Sequence, residues 1–488
     1  MNYSVIRRIL GKIMILIGLL MIFPFAVSLI YKESLRNILA FAIPMGSLVT
    51  LGKLICYKRQ KENDEMSARE GVIIVGLAWF MLALFGCIPF LISKEIPNFF
   101  DAFFEMASGF TTTGASIVPD ITKLSHSTLF WRSFSHWIGG MGVLVLILAI
   151  IPESKDGSSM HILKAESPGP QVGKLVSKMQ ITSRILYLIY FVLTLVMITL
   201  LWLGPDDKMN FFNSTVYSLG TAGTGGFSVD PDGLASYAAY SQYVIAGGML
   251  VFGINFSLFY LILIKKAKEA FKNEELRLYL AIVVIAVTTI FFTIYSTYNN
   301  IEETFRHSLF QVATIISTTG YATYDFIQWP TLALGILFIL MFSGGCAGST
   351  AGGMKVTRLG ILFKSSIRKV KNEVNPRKVE MVSVDGKPLN DSVIESVQSY
   401  FVLYMFIAVI CAVIYSFDGF DLLTNFTASI TCLSNVGPGL TSVIGPMGNF
   451  AGFSNFSKLL MAFEMIAGRL ELFPILILFN PKTWRKRM

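Results

Sequence analysis

The sequence predicts an all-α integral membrane protein built from four pseudo-repeats, preceded by two extra transmembrane helices. Three observations support this fold class. The 488 residues are 53% hydrophobic and only 15% charged, with a mean hydropathy of +0.62, which is a membrane composition. Long apolar stretches recur from end to end, and one polar, glycine-containing break recurs four times among them.

The apolar stretches are long enough to cross a hydrocarbon core of ~30 Å. Two leading spans are predicted at 13–31 and 38–56. Basic residues precede the first of them, but its apolar core is longer than that of a signal peptide and no small-residue cleavage site follows, so we expect it to be retained. Each repeat then opens with its own span, at about 71–92, 181–203, 278–297 and 398–417.

A polar break interrupts each repeat, after an apolar segment of about a dozen residues that is too short to cross a membrane. The breaks recur at intervals of roughly 100 residues and read SGFTTTGAS (108–116), GTAGTGGFS (220–228), ISTTGYA (316–322) and CLSNVGPG (432–439). A second full span is predicted after each break, at about 129–151, 239–264, 331–359 and 457–480. The predicted unit is therefore helix, half-helix, loop, helix, with the leading helices in 1–66 and the repeats in 67–160, 161–272, 273–390 and 391–488.

The four breaks are predicted to meet on one axis and to bind a cation. Lipid offers no hydrogen-bond partners, so irregular backbone inside a membrane must be buried in protein or line a watery path. Each break holds a triplet similar to the T-V-G core of potassium-channel filters, in which carbonyls replace the hydration shell of the ion. The candidate ion-binding residues are Thr112, Thr113, Gly114, Thr224, Gly225, Gly226, Thr318, Thr319, Gly320, Asn435, Val436 and Gly437.

The third repeat carries a second irregular segment, SGGCAGSTAGG (343–353). Each glycine costs a helix ~1 kcal/mol relative to alanine, so its five glycines predict a loop within the inner half of the membrane, where it would act as a gate. The alternatives are a flexible cytosolic turn and a small-residue packing face. The candidate gate residues are Ser343, Gly344, Gly345, Gly348, Ser349, Thr350, Gly352 and Gly353.

Arg469 lies within the last predicted span, in FEMIAGRLELF. Charges inside a span usually face the interior or a water-filled cavity, and an arginine does not lose its proton to lower the cost. We therefore predict Arg469 as an electrostatic barrier facing the pore. A salt bridge to Glu464 or to another helix is the alternative, and the two interpretations are compatible.

The charge distribution predicts the topology. If the N-terminus is inside, the inner segments contain 29 of the 40 lysines and arginines, which is the positive-inside pattern with both termini cytoplasmic. The net charge of +9 therefore indicates a membrane orientation, with no nucleic-acid partner. The five widely spaced cysteines and four histidines show no disulfide framework or metal-ligand spacing, and no covalently bound cofactor is predicted.

The breaks, together with HWIGGMGVLVL (136–146), GGCAGSTAGGMK (344–355) and AGRLELFPIL (467–476), resemble the Trk/Ktr/HKT superfamily of cation-translocating subunits, and within it the TrkH branch. The resemblance covers essentially the whole chain. It implies a multi-pass potassium-translocating subunit of the bacterial plasma (inner) membrane, homodimeric and gated by a cytoplasmic, nucleotide-binding TrkA-type subunit. It also implies that residues 343–353 form the gating loop and that glycine in all four triplets favours potassium, the transported ligand. The fourth triplet, NVG followed by Pro438, makes the filter unequal.

Two other classes of function were compared with a gated, channel-like conductor. A coupled secondary transporter places carboxylates for coupling ions around broken helices, and the four triplets contain none; this class stays open as the alternative. An intramembrane enzyme needs a nucleophile with a base, and the breaks contain no histidine or paired carboxylates. The protein is therefore not predicted to be an enzyme.

Overall fold

The computed structural model describes residues 3–57, 68–142, 179–377 and 380–484. Within these ranges six helices are long and apolar enough to cross a membrane, or seven if one bent pair is counted as a span. The predicted all-helical membrane fold is confirmed, since the described strands form only one two-stranded hairpin, Ser383–Val384 with Lys387–Pro388. The two leading spans are also found, as Tyr3–Leu20 with Ile22–Ile30 and as Leu35–Tyr57.

The same three-helix order then occurs four times, and we call each occurrence a unit. The first helices of the units are Ala68–Gly86 (continued by Ile88–Ser93), Met179–Trp202, Glu274–Tyr298 and Asp391–Tyr415. The half-helices that follow are Phe99–Phe110, Phe211–Gly223, Ile301–Ile316 and Leu422–Ser434.

The half-helices begin in the same way because each follows an Asn or Asp whose side-chain oxygen accepts a hydrogen bond from the first turn. This N-cap satisfies backbone N–H groups that have no partner within the helix. The four caps are Asn98, Asn210, Asn300 and Asp421. Hydrogen bonds from Thr424 hold the pKa of Asp421 below its usual range, so this cap is ionised at neutral pH.

The second helices differ from the prediction. They are His126–Gly140, Ala239–Phe252, Thr331–Ser343 and Asn455–Arg469. Each therefore ends after 13 to 15 residues, although the sequence predicted four full spans with only the third interrupted. The part of the first predicted span beyond residue 142 lies outside the described residues.

Each interruption has a local cause. In the second unit the chain bends by 92° before Phe256–Leu263, where Asn255 caps the new helix. In the third unit a loop of residues 344–355 precedes Val356–Val374. In the fourth unit Glu471 and Leu472 adopt positive φ angles of 56° and 65° before Phe473–Phe479. Ser343, predicted as a loop residue, is instead the last residue of its helix.

The buried side chains join neighbouring units. One apolar cluster connects the leading helices with the first and fourth units, a second connects the third and fourth, and a third connects the second and third. The third cluster also contacts Trp137 of the first unit, so the units pack in a closed circle.

Candidate functional site

The four predicted triplets share one backbone conformation. Their first residues, Thr112, Thr224, Thr318 and Asn435, have φ angles of 59°, 55°, 56° and 56°, in the left-handed region that non-glycine residues seldom adopt. Their glycines, Gly114, Gly226, Gly320 and Gly437, have φ angles of 77°, 79°, 90° and 103°. The similar left-handed φ angles in all four triplets indicate that the same loop structure occurs four times.

Hydrogen bonds at the ends of the half-helices explain this conformation. In each unit the N–H of the middle triplet residue donates to the carbonyl oxygen five residues earlier, over 2.8 to 3.0 Å. A left-handed residue at a helix end allows such a bond, and the last carbonyls thereby gain a partner. The four donors are Thr113, Gly225, Thr319 and Val436.

The triplets form a closed ring. A Cβ atom added to Gly114 would lie 2.0 Å from the carbonyl oxygen of Gly225, and one on Gly226 would lie 1.9 Å from that of Thr319. The same relation holds between Gly320 and Val436 at 2.4 Å and between Gly437 and Thr113 at 2.7 Å. Each glycine therefore faces a carbonyl of the next unit, in the order first, second, third, fourth, first.

The two sides of this ring differ. A cavity of about 170 Å³ adjoins the residues that follow the triplets, and all four triplet glycines line it. On the opposite side the ring meets the loop of residues 344–355, because the Gly352 N–H donates to Thr318 Oγ1 over 2.7 Å. The predicted gate loop therefore contacts the predicted ion-binding residues through Gly352, which also lies beside Asn435.

The loop of the third unit is held in the bend of the second unit. Cys346 N–H donates to the Gly253 carbonyl over 2.9 Å, and Phe256 N–H donates to the Gly348 carbonyl over 3.0 Å. The Thr350 hydroxyl donates to the Phe252 carbonyl over 3.1 Å. The interruption of the second helix, which the sequence analysis missed, thus supplies the backbone groups that the loop needs.

Glu275 binds the same loop and the helix that follows it. Its Oε1 accepts from Ala347 N–H over 2.7 Å and from Thr357 N–H over 3.2 Å, and the residue is only 8% exposed. A carboxylate that accepts backbone N–H groups makes a strong, charge-assisted hydrogen bond. The sequence analysis did not select Glu275, because nothing local relates it to a loop about seventy residues later.

Arg469 lies where the ring and the loop meet. Its guanidinium donates to the carbonyl oxygens of Thr350 and Gly139, both over 2.8 Å, and of Gly140 over 2.5 Å, and to Thr112 Oγ1 over 3.3 Å. It thereby connects the first triplet, the gate loop and the end of the second helix of the first unit. It lies on the loop side of the ring, and its role as an electrostatic barrier facing the pore stays a prediction.

Glu464, the alternative partner predicted for Arg469, forms hydrogen bonds with other residues. Its carboxylate accepts hydrogen bonds from the hydroxyls of Ser429 and Tyr415. A second cation that the sequence analysis missed, Lys355, is buried on the loop side and donates to the Ala351 carbonyl. It lies two residues after the glycine-rich run and immediately before Val356–Val374, and its φ is 70°.

Similar proteins agree with this architecture. Residues 38–486 match the model of the TrkH family, described as a cation transport protein. The chain is 32% identical over 493 residues to the Trk system potassium uptake protein TrkH of Escherichia coli K12, covering 100% of both chains. It is also 32% identical over 494 residues to TrkH of Vibrio parahaemolyticus, covering 99% of this chain and 100% of the relative.

A solved structure gives the same result. The crystal structure of the potassium transporter TrkH from Vibrio parahaemolyticus superposes with a TM-score of 0.88 at 30% identity, covering 99% of this chain and 100% of that one. The fold and the ring define a multi-pass helical membrane protein of the transport class, and the relatives are named as transport proteins rather than enzymes. This chain belongs to the TrkH family, which confirms the predicted resemblance.

Proposed function

We propose that this protein is a potassium-translocating transmembrane subunit that conducts potassium through the ring of four triplets. The observation that carries the proposal is the closed ring, in which the carbonyls of Thr113, Gly225, Thr319 and Val436 each meet a glycine of the neighbouring unit. Carbonyl oxygens arranged around one axis replace the water shell of a potassium ion. The names of the relatives, which are potassium uptake proteins, support potassium as the transported ion.

The loop of residues 344–355 serves as the gate in this proposal, with Arg469 as a barrier beside it. Both contact the ring on one side, through Gly352 and through the Arg469 guanidinium. In this proposal the described conformation is the closed one. Opening requires that the loop move away from the bend of the second unit, which breaks its hydrogen bonds to the Phe252 and Gly253 carbonyls.

We further propose the membrane location, topology and assembly of the protein. The uneven distribution of lysine and arginine supports a bacterial plasma membrane location with both termini cytoplasmic. The relatives are named as parts of a Trk system, which supports a system with further subunits. A homodimer regulated by a TrkA-type nucleotide-binding subunit is the assembly that we propose.

Flux through purified protein in liposomes tests the function. With potassium inside and a trace of rubidium outside, a channel-like conductor accumulates rubidium without any proton or sodium gradient. When the internal potassium is replaced by the same concentration of sodium and the tracer is sodium, little tracer should be taken up. Rubidium uptake that appears only when a proton or sodium gradient is imposed would instead identify a coupled secondary transporter. Empty liposomes and liposomes with heat-denatured protein set the background.

Glu275→Ala is expected to raise rubidium flux per protein about fivefold, because Ala347 N–H of the loop and Thr357 N–H of the next helix lose a charged acceptor that they share. Glu275→Gln is the matched control, since its amide oxygen keeps an acceptor of the same reach, and its flux should stay near that of the wild type. Stopped-flow or tracer uptake, normalised to reconstituted protein, measures the difference. A folded Glu275→Ala variant with wild-type flux contradicts the assignment of Glu275 as a gate anchor.

A further inference from the structure

The second triplet differs from the others in having glycine at its middle position. In the first and third triplets the middle residue is a threonine whose hydroxyl bonds to its own half-helix end: Thr113 to Thr111 at 2.8 Å and Thr319 to Ser317 at 2.7 Å. Gly225 has no side chain and cannot make this bond. Two successive glycines also leave this part of the ring with the greatest conformational freedom.

His136 occupies the place of the missing side chain. A Cβ atom on Gly225 would lie 2.0 Å from Cγ of His136, so the imidazole packs directly against the backbone of the second triplet. His136 belongs to the second helix of the first unit and is fully buried. The glycine at position 225 is therefore needed to admit an imidazole from the neighbouring unit.

The hydrogen bonds of His136 define its tautomer and its task. Its Nδ1 lies 2.7 Å from the Gly109 carbonyl, which only accepts, so Nδ1 carries the proton. The Phe227 N–H then donates to the bare Nε2 over 3.3 Å. One neutral imidazole thus connects the half-helix of the first unit with the residue that follows Gly226.

A buried ion pair also contacts Phe227. The Arg132 guanidinium carbon lies 4.1 Å from the centroid of the Phe227 ring, and Arg132 Nε donates to Glu105 Oε1 over 2.8 Å. The side chains of Arg132 and Glu105 are 1% and 0% exposed. Glu105 also accepts from Ile117 N–H over 2.9 Å, just beyond the first triplet.

The half-helix positions that correspond to Glu105, nine residues before each triplet glycine, hold Tyr217, Gln311 and Ala428, so none of the other units can form this ion pair there. We infer that His136, Phe227, Arg132 and Glu105 are positioning residues that fix the Gly225 carbonyl, and that potassium selectivity depends on them. This inference rests on the proposed function. It assigns the rigidity of the second triplet to three side chains of the first unit and to Phe227 of its own unit.

The decisive experiment compares two substitutions of His136 in the reconstituted full-length protein. Asparagine keeps a donor near the Nδ1 position and loses the acceptor for Phe227 N–H, whereas glutamine places an acceptor near the Nε2 position. We expect His136→Asn to lower the potassium-to-sodium flux ratio about fivefold, as a buried N–H without a partner weakens the held conformation. His136→Gln should stay within about twofold of the wild type.

Two further measurements separate positioning from stability and from the filter assignment. His126→Asn is the matched histidine control, because His126 is exposed and stacks on Tyr31 at 4.0 Å, away from the ring. Thermal melting shows whether a changed ratio accompanies lost stability. A stable His136→Asn variant with the wild-type potassium-to-sodium flux ratio overturns the inference. If Gly226→Ser also keeps the wild-type ratio, the filter assignment is overturned as well.

If His136→Asn does not fold, the variant Phe227→Leu tests the same inference. Leucine keeps an apolar side chain but removes the ring that contacts both Arg132 and His136. We expect a lower potassium-to-sodium flux ratio with total cation flux per protein retained. A folded Phe227→Leu variant with the wild-type ratio overturns the inference.

Discussion

Gly226→Ser is expected to reduce the potassium-to-sodium flux ratio roughly a hundredfold, because left-handed strain of ~1–2 kcal/mol adds to a direct collision. Gly226 has a φ of 79°, and its new Cβ would stand 1.9 Å from the Thr319 carbonyl oxygen. That oxygen is one of the four proposed ion ligands, so it must move off the axis. A displaced carbonyl no longer compensates a potassium ion for its lost water. Paired rubidium and sodium tracer uptake in liposomes measures the ratio.

Gly419→Ser is the matched control for this prediction. Gly419 has the same φ of 79°, but a Cβ there meets no atom within 4 Å. The control therefore carries the backbone strain of a left-handed serine without any contact at the ring, and its flux ratio should equal that of the wild type. A Gly226→Ser variant that folds and keeps the wild-type ratio contradicts the filter assignment. Equal losses in both variants assign the effect to strain alone.

The ring could be anticipated from sequence because its determinants are local and repeated. Each triplet is preceded by a half-helix that is too short to cross a membrane, and four copies of one pattern must form similar structures. The capping residues, such as Asn98 and Asp421, are likewise local signals. Fourfold repetition of one unit therefore predicts a closed arrangement.

The missed features depend on contacts between units. The second helix of the second unit ends at Phe252 because the bend presents backbone groups to a loop about a hundred residues later. Its apolar sequence continues through the bend and therefore predicts an unbroken span. His136 gave no signal for a similar reason: its partners Gly109 and Phe227 belong to different units, and a single sequence does not reveal such pairing.

Arg469→Ala is expected to raise potassium flux per protein about tenfold with little change in selectivity. At an effective dielectric constant of ~20, a fixed positive charge opposes a monovalent cation passing ~6 Å away by ~3 kcal/mol, and water in the path reduces this barrier. The substitution also removes the donor to the Thr350 carbonyl, which loosens the gate loop. Neither change touches a triplet carbonyl, so the potassium-to-sodium ratio should stay near that of the wild type.

Two comparators separate charge from hydrogen bonding at this position. Arg469→Lys keeps the charge but loses the planar fork that reaches Gly139, Gly140 and Thr350 together. If the barrier is electrostatic, the lysine variant conducts like the wild type, and if the guanidinium acts as a clamp, it conducts like Arg469→Ala. Glu464→Gln changes a buried carboxylate on the same helix that bonds to Ser429 and Tyr415 instead, and it should leave flux unchanged. Equal flux per protein in the wild type and a folded Arg469→Ala variant refutes both roles, because loss of the charge and loss of the clamp each favour conduction.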